Sequence, residues 1–338
     1  RVRFDPVPPM LGPLLLLATC PSPVTEQEFV SGQRQGLIVA DGGLVRDVSG
    51  GVAGPDAGLA VPPGSTFGLY VSPVYDVGRL ARWSELSFGS STPAGLPLPD
   101  DGGRETGPGG ADMTGNVALF HFEEPQWTQD AGEVRDTSGL GHHGTVEGAR
   151  ATTAGAGIVG RAAELDGGAC VFAADRPSLT AGNALTIATW FLVKYLDGNP
   201  QGLVAKRVDF QQPSAYTFYV WTNDQLWVDV DSEDDRFGTN AVVQPNRWTH
   251  AAMVYDGTLP AAQRVRVYVD GALDTVAFET STSIPDEDGP LGVGCIHNPS
   301  GGILQGLNGL LDETAIWHRA LSDAEIAALY RRGRDRVL

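Results

Sequence analysis

The sequence predicts an all-β chain built on two packed antiparallel sheets, and three observations carry that prediction. Short apolar runs recur along 338 residues and are separated by many turn formers, with Gly 44 and Pro 23. About a dozen segments between 115 and 333 have strand character, with no long helix among them, and such a set buries its apolar faces by stacking sheet on sheet. Two of the segments, "VYDG" and "YVDG", end in Asp-Gly, the dipeptide of tight hairpins.

Bulk composition sets limits on function. The chain is 42% hydrophobic, enough to fill a core, and its length fits two domains. A formal charge of -18 repels phosphate backbones, so nucleic acid is excluded as a partner, and most of these charges serve solubility. The three cysteines, Cys20, Cys170 and Cys295, contain no CxxC pair, which removes zinc ribbons and thioredoxin-like sites. Cys170 and Cys295 fall in predicted strands of one domain. They either bridge, if the chain is secreted, or stay as buried thiols.

Along the chain, residues 1–23 form an apolar arm. Its arginines, apolar run and "LATC" resemble a bacterial lipoprotein signal ending in a lipidated cysteine, Cys20. The run is too short for a transmembrane span. Pro6, Pro8, Pro9 and Pro13 interrupt the helical turns a signal needs. The competing expectation is an ordered arm, packed on its own domain or on another copy of the chain by strand addition. Residues 24–90 alternate apolar and polar and read as a small β-module. Within it, "GLYVSPVYDVGRLARW" resembles a module of bacterial surface proteins, with Tyr70, Tyr75 and Trp83 as core. Residues 91–114, dominated by Gly, Pro and Asp, read as a linker. Residues 115–333 hold the long strand series. Only "SDAEIAALYRRG" is helical: Ser322 and Glu325 make a capping box, and Ile326, Leu329 and Tyr330 an apolar stripe.

Five pieces of this series occur in a telling order. They are "ALFHFEE", "VRDTSGLGHHGT", "RAAELDG" leading to "LTIATWF", the pair "RWTHAAMVYDG…VRVYVDG", and "LNGLLDETAIWHRALSDAEIAALY". Together they resemble a LamG-like (laminin G, concanavalin A-like) jelly-roll domain of bacterial surface type. The resemblance implies a β-sandwich with a concave face, an extracellular or cell-surface location, and a role in binding or adhesion.

Two carboxylates, Asp312 and Glu313, lie inside the last strand. Strict alternation points their side chains to opposite faces, so one approaches a buried side and needs a cation or several donors. The resemblance implies a structural calcium site shared with the Asp136 loop. There Asp136, Ser138, Gly141 and His143 join Asp312 and Glu313 in offering oxygens. The alternative is pairing with Arg135, Arg161 or backbone amides. Adjacent His142 and His143 argue against zinc, since neighbouring histidines rarely chelate one ion.

For ligand binding, "YTFYVWTNDQLWVDV" offers Tyr219, Trp221 and Trp227, beside Asp229 and Asp231; Tyr219 and Trp221, two apart, share a sheet face, and alternation sends part of the aromatic set into the core. The run Asp229, Asp231, Glu233, Asp235 lacks the glycine and distal glutamate of a calcium loop and reads as a solvated strand end. Related glucanases carry Glu-x-Asp-x-x-Glu on one strand, and "DVDSED" does not meet that pattern. No Ser-His-Asp set, phosphate loop or HExxH motif is visible. The sequence therefore favours a non-catalytic extracellular adhesion protein recognising a glycan or a protein. A fibre or layer subunit assembled through residues 1–23 is the alternative, and a glycoside hydrolase the weaker one.

Overall fold

A computed structural model describes residues 95–334 with gaps at 106–109, 149–150, 155–156, 208–214, 231–236 and 299–301, and before residue 93 only the backbone of short strands. The chain divides into two compact units, Arg1–Thr92 with Val337–Leu338, and Pro93–Arg336.

In the first unit, three antiparallel pairs are described. Val2–Asp5 pairs with Arg82–Leu86, Gln33–Gln35 with Leu69–Val71, and Leu37–Ala40 with Gly43–Arg46. The start of the expected arm thus pairs with residue 82 onward of its own chain. The rest of the arm, Cys20, Tyr75 and any contact with another copy lie outside the described residues.

The second unit is a two-sheet antiparallel jelly-roll sandwich. The eight-stranded sheet runs Ala272–Ala277, Val265–Val269, Thr249–Asp256, Ala184–Val193, Asn308–Trp317, Ala162–Asp166, Thr152–Ala154, with Asn116–Phe120 also paired to Asn308–Trp317. The seven-stranded sheet runs Phe237–Val242, Gln225–Val230, Tyr216–Val220, Gln201–Lys206, Leu291–Val293, Cys170–Ala173, Thr145–Glu147. Alternation sorts the side chains. Leu185, Ile187, Phe191 and Val193 from one sheet meet Tyr216, Phe218, Val228 and Val293 from the other in the interior. Cys170 and Cys295, both buried, form a disulfide, which settles the two readings of that pair.

A second apolar layer covers the outer side of the eight-stranded sheet. Ala188, Val254, Tyr268 and Trp317 pack there under Leu98, Met113, Ile326 and Leu329. The last two come from the helix Asp323–Arg334, whose capping box forms: Ser322 N donates to Glu325 Oε2 at 2.8 Å. Leu98 and Met113 come from the segment read as a linker. From residue 95 that segment belongs to the sandwich. Leu98, Ala111 and Met113 in it are buried, and its backbone is tied down, with Leu96 N donating to Arg332 O at 3.0 Å. Arg332, itself buried, donates to Pro97 O and forms an ion pair with Glu105. A stretch poor in apolar residues can be held by such polar ties, and composition does not reveal them.

Candidate functional site

Asn308–Trp317 is an interior strand of its sheet, and its two carboxylates do not follow simple alternation. Ala188 pairs with Ala315 but Trp190 pairs with Asp312, so one extra residue is accommodated opposite Ala188–Trp190. Glu313 adopts φ +47°, a left-handed conformation uncommon for a side-chain-bearing residue. Leu311 still faces the interior. The bulge turns both Asp312 and Glu313 toward the outer layer, which corrects the expectation of opposite faces.

Each carboxylate there closes a backbone donor. Asp312 Oδ2 accepts from Val159 N at 2.8 Å, and Glu313 Oε2 from Leu98 N at 2.5 Å. Gly157 has to be glycine, because a Cβ there would lie 2.5 Å from Asp312 Oδ2. Glu313 Oε1 also lies 2.5 Å from His121 Nδ1, while His121 Nε2 lies 3.0 Å from Asp100 Oδ1. Burial opposes a charge on His121, but the Glu313 and Asp100 contacts outweigh it and raise its pKa to about 9. Burial first, then the Glu313 charge, hold Asp312 well above the usual carboxylate range. The charges in the last strand thus anchor two irregular segments, 95–98 and 157–160, on the sheet.

The Asp136 loop is a neighbour but a separate cluster. Asp136 bridges Phe120, and Phe120 pairs with Thr314, so one strand separates the loop from the Asp312 segment. Asp136 Oδ1 accepts from Leu119 N and Ser138 N, both at 2.9 Å, and Oδ2 from His142 N at 2.7 Å, with Ser138 Oγ 2.9 Å away. His143 Nδ1 accepts from Asp136 N at 3.1 Å, and Gly141 supplies a turn at φ +74°.

This donor set does not fit calcium. The ion needs six to eight oxygens aimed at one point. The Asp136 carboxylate faces amide and hydroxyl hydrogens, and both Glu313 oxygens are occupied. Among the described residues no three His, Cys, Asp or Glu side chains are grouped to hold a metal. Of the residues expected to share a cation, Asp136, Ser138, Gly141 and His143 lie in one hydrogen-bonded cluster and Asp312 and Glu313 in another.

The aromatic residues come together partly through spacing, which puts Tyr219 and Trp221 on one face, and partly through strand register. Tyr219 pairs across strands with Trp227. Their neighbours Phe218, Val220, Leu226 and Val228 are in the interior, which leaves Tyr219, Trp221 and Trp227 on the outer face of the seven-stranded sheet. The Trp221 ring centroid is 5.7 Å from Tyr219 and 5.9 Å from Trp227. Trp227 Nε1 donates to Asn223 Oδ1 at 3.0 Å, which fixes the indole. Tyr219 is buried and the two indoles are half-buried. Asp229 shares this face but is buried and paired with Arg207 at 3.4 Å. Asp231 lies outside the described residues.

Two histidines bear on catalysis. His142 Nδ1 lies 2.7 Å from Val117 O and its Nε2 2.6 Å from Ser178 Oγ. The grouping is triad-like, but Asp136 Oδ2 stands 3.6 Å from Nδ1 and already accepts other donors, so it does not orient the ring. The second, His250, is buried beside Trp190 at 5.2 Å, and burial drives its pKa down to about 3, as for a neutral core histidine.

Residues 165–327 match the family model described as the concanavalin A-like lectin/glucanases superfamily, of laminin G type. That segment of the jelly-roll sandwich is thus similar to a class whose description includes both lectins and glucanases. Among solved structures, domain 4 of AbnA, an extracellular arabinanase from Geobacillus stearothermophilus, in complex with arabinotriose, is 18% identical, with 64% of this chain and 98% of that chain covered and a TM-score of 0.47. The binding domain of Paraclostridial Mosquitocidal Protein 1 is 15% identical, with 64% and 52% covered and a TM-score of 0.46. A Trypanosoma rangeli sialidase is 14% identical, with 71% and 36% covered and a TM-score of 0.49, so the match spans about a third of that enzyme. No curated protein sequence matches the chain.

Proposed function

We propose that the sandwich is a non-catalytic glycan-binding module of an extracellular or cell-surface protein, with Trp221 and Trp227 as its stacking platform and the buried Tyr219 packed against them. The observation that carries this reading is the contact of the three rings on an outer sheet face, away from the apolar interior. Two half-exposed indoles, one packed edge to face on Tyr219 and the other fixed through its N–H, offer apolar surface to the C–H face of a sugar at little conformational cost. The buried disulfide supports an oxidising, extracellular setting. Among the described residues no helix is long and apolar enough to cross a membrane. Engagement of Asp229 by Arg207 supports the non-catalytic part, because a glycosidase acid or nucleophile must be open to its substrate.

A glycan array followed by affinity electrophoresis tests the proposal. Trp221→Ala and Trp227→Ala should each weaken retention by the bound glycan at least tenfold while leaving the melting temperature nearly unchanged. An empty array, together with capture of a matrix protein in a pull-down, would replace the sugar by a protein ligand. Release of reducing ends from a polysaccharide that binds would overturn the non-catalytic assignment.

A further inference from the structure

A cavity of about 350 Å³ opens on the far side of the sandwich from the aromatic platform, where the helix Asp323–Arg334 meets the eight-stranded sheet. Its size falls within the range of about 300–1,000 Å³ usual for small-molecule sites. Trp190, Trp248 and Tyr330 supply aromatic walls, and Arg247, Asp270 and Arg334 supply polar groups. The Trp190 and Tyr330 rings are stacked, with centroids 5.5 Å apart and an interplanar angle of 25°. Asp270 is fixed from below, since its Oδ1 accepts from His250 N at 3.1 Å, and its Oδ2 holds Arg247 Nη2 at 2.5 Å. The Arg334 guanidinium sits 4.9 Å from the Tyr330 ring centroid.

We infer that this cavity is a second saccharide site, and that the sugar it takes is acidic, such as a uronic acid residue. Aromatic faces beside planar polar side chains suit a pyranose, whose C–H face stacks while its hydroxyls bond to Asp270 and Arg247. The acidic preference comes from charge. The chain carries 41 Asp and Glu against 23 Lys and Arg, yet this cavity has two guanidinium groups to one carboxylate. A guanidinium fork matches a carboxylate with two parallel N–H bonds. The site shares no residue with the Tyr219 platform, so the two readings stand or fall separately.

Tryptophan fluorescence titration with trigalacturonate, with neutral cellotriose as control, tests the inference. Trigalacturonate should quench the emission saturably in the natural chain and equally in Trp221→Ala. In Arg334→Gln and Trp248→Ala the affinity should fall at least tenfold, and 0.5 M salt should weaken it in the natural chain. Arg334 is exposed at the helix end, so its variant keeps the fold and decides the matter if Trp248→Ala melts early. Absence of saturable quenching, an equal response to cellotriose, or unchanged affinity in Arg334→Gln would overturn the inference.

Discussion

Replacing His121 tests the buried charge cluster most directly. The imidazole is bonded at one nitrogen by Glu313 and at the other by Asp100, and its pKa rises from 6.5 to about 9. A raised histidine stabilises the fold fully below its unfolded pKa, and that stabilisation is lost as pH climbs through the folded value. At about 1.4 kcal/mol per pH unit, the interval from 6.5 to about 9 corresponds to about 3 kcal/mol. In a domain of this size that is about 6–12 °C in melting temperature. The exposed Asp100 side of the cluster is screened by salt, so the figure is an upper one. Thermal or urea unfolding at half-unit steps from pH 6 to 10 should show stability falling across this window in the natural chain. His121→Gln should remove most of the slope and cost stability chiefly at pH 6. A flat profile, or the same slope in His121→Gln, would refute the cluster as described.

Other outcomes follow from the same geometry. Asp136→Ala should destabilise the sandwich by at least about 2 kcal/mol, measured by urea unfolding, because several buried donors lose their acceptor at once. Reduction of the disulfide, or paired Cys170→Ala and Cys295→Ala changes, should cost about 2–5 kcal/mol, since the bridge closes a loop with a sequence separation of 125. Chelation with EDTA, or addition of millimolar calcium, should move the melting temperature of the sandwich by no more than about 1 °C. A calcium-dependent rise of several degrees would reinstate an ion-binding role for these carboxylates.

What the sequence disclosed and what it concealed divide along physical lines. Strand alternation is a local signal, so the two-sheet plan and the shared face of Tyr219 and Trp221 were legible, whereas the place of Trp227 beside them depends on the register between two strands. So was the helix start, because Ser322 and Glu325 act within one turn. The bulge was not legible, because strict alternation leaves no room for the residue at φ +47° that turns Asp312 and Glu313 the same way. The carboxylates around Asp136 were visible but their partners were not: the donors are mostly main-chain N–H groups, which every sequence carries. The tie between Arg332 and Glu105 and the burial of Leu98 likewise join residues far apart in the chain, so Gly and Pro content alone suggested a linker. The Trp190 cavity draws its walls from several separated segments and has no contiguous signature.

The backbone enters the sandwich at Leu96 and leaves it near Arg332, and those two positions are hydrogen-bonded to each other. A folded body whose incoming and outgoing chain run side by side can be spliced into an exposed loop of a host protein without spreading the host apart. It can also be strung in series or circularly permuted by joining its ends with a short bridge. Such a layout makes the module portable, because the surrounding polypeptide needs only two adjacent attachment points.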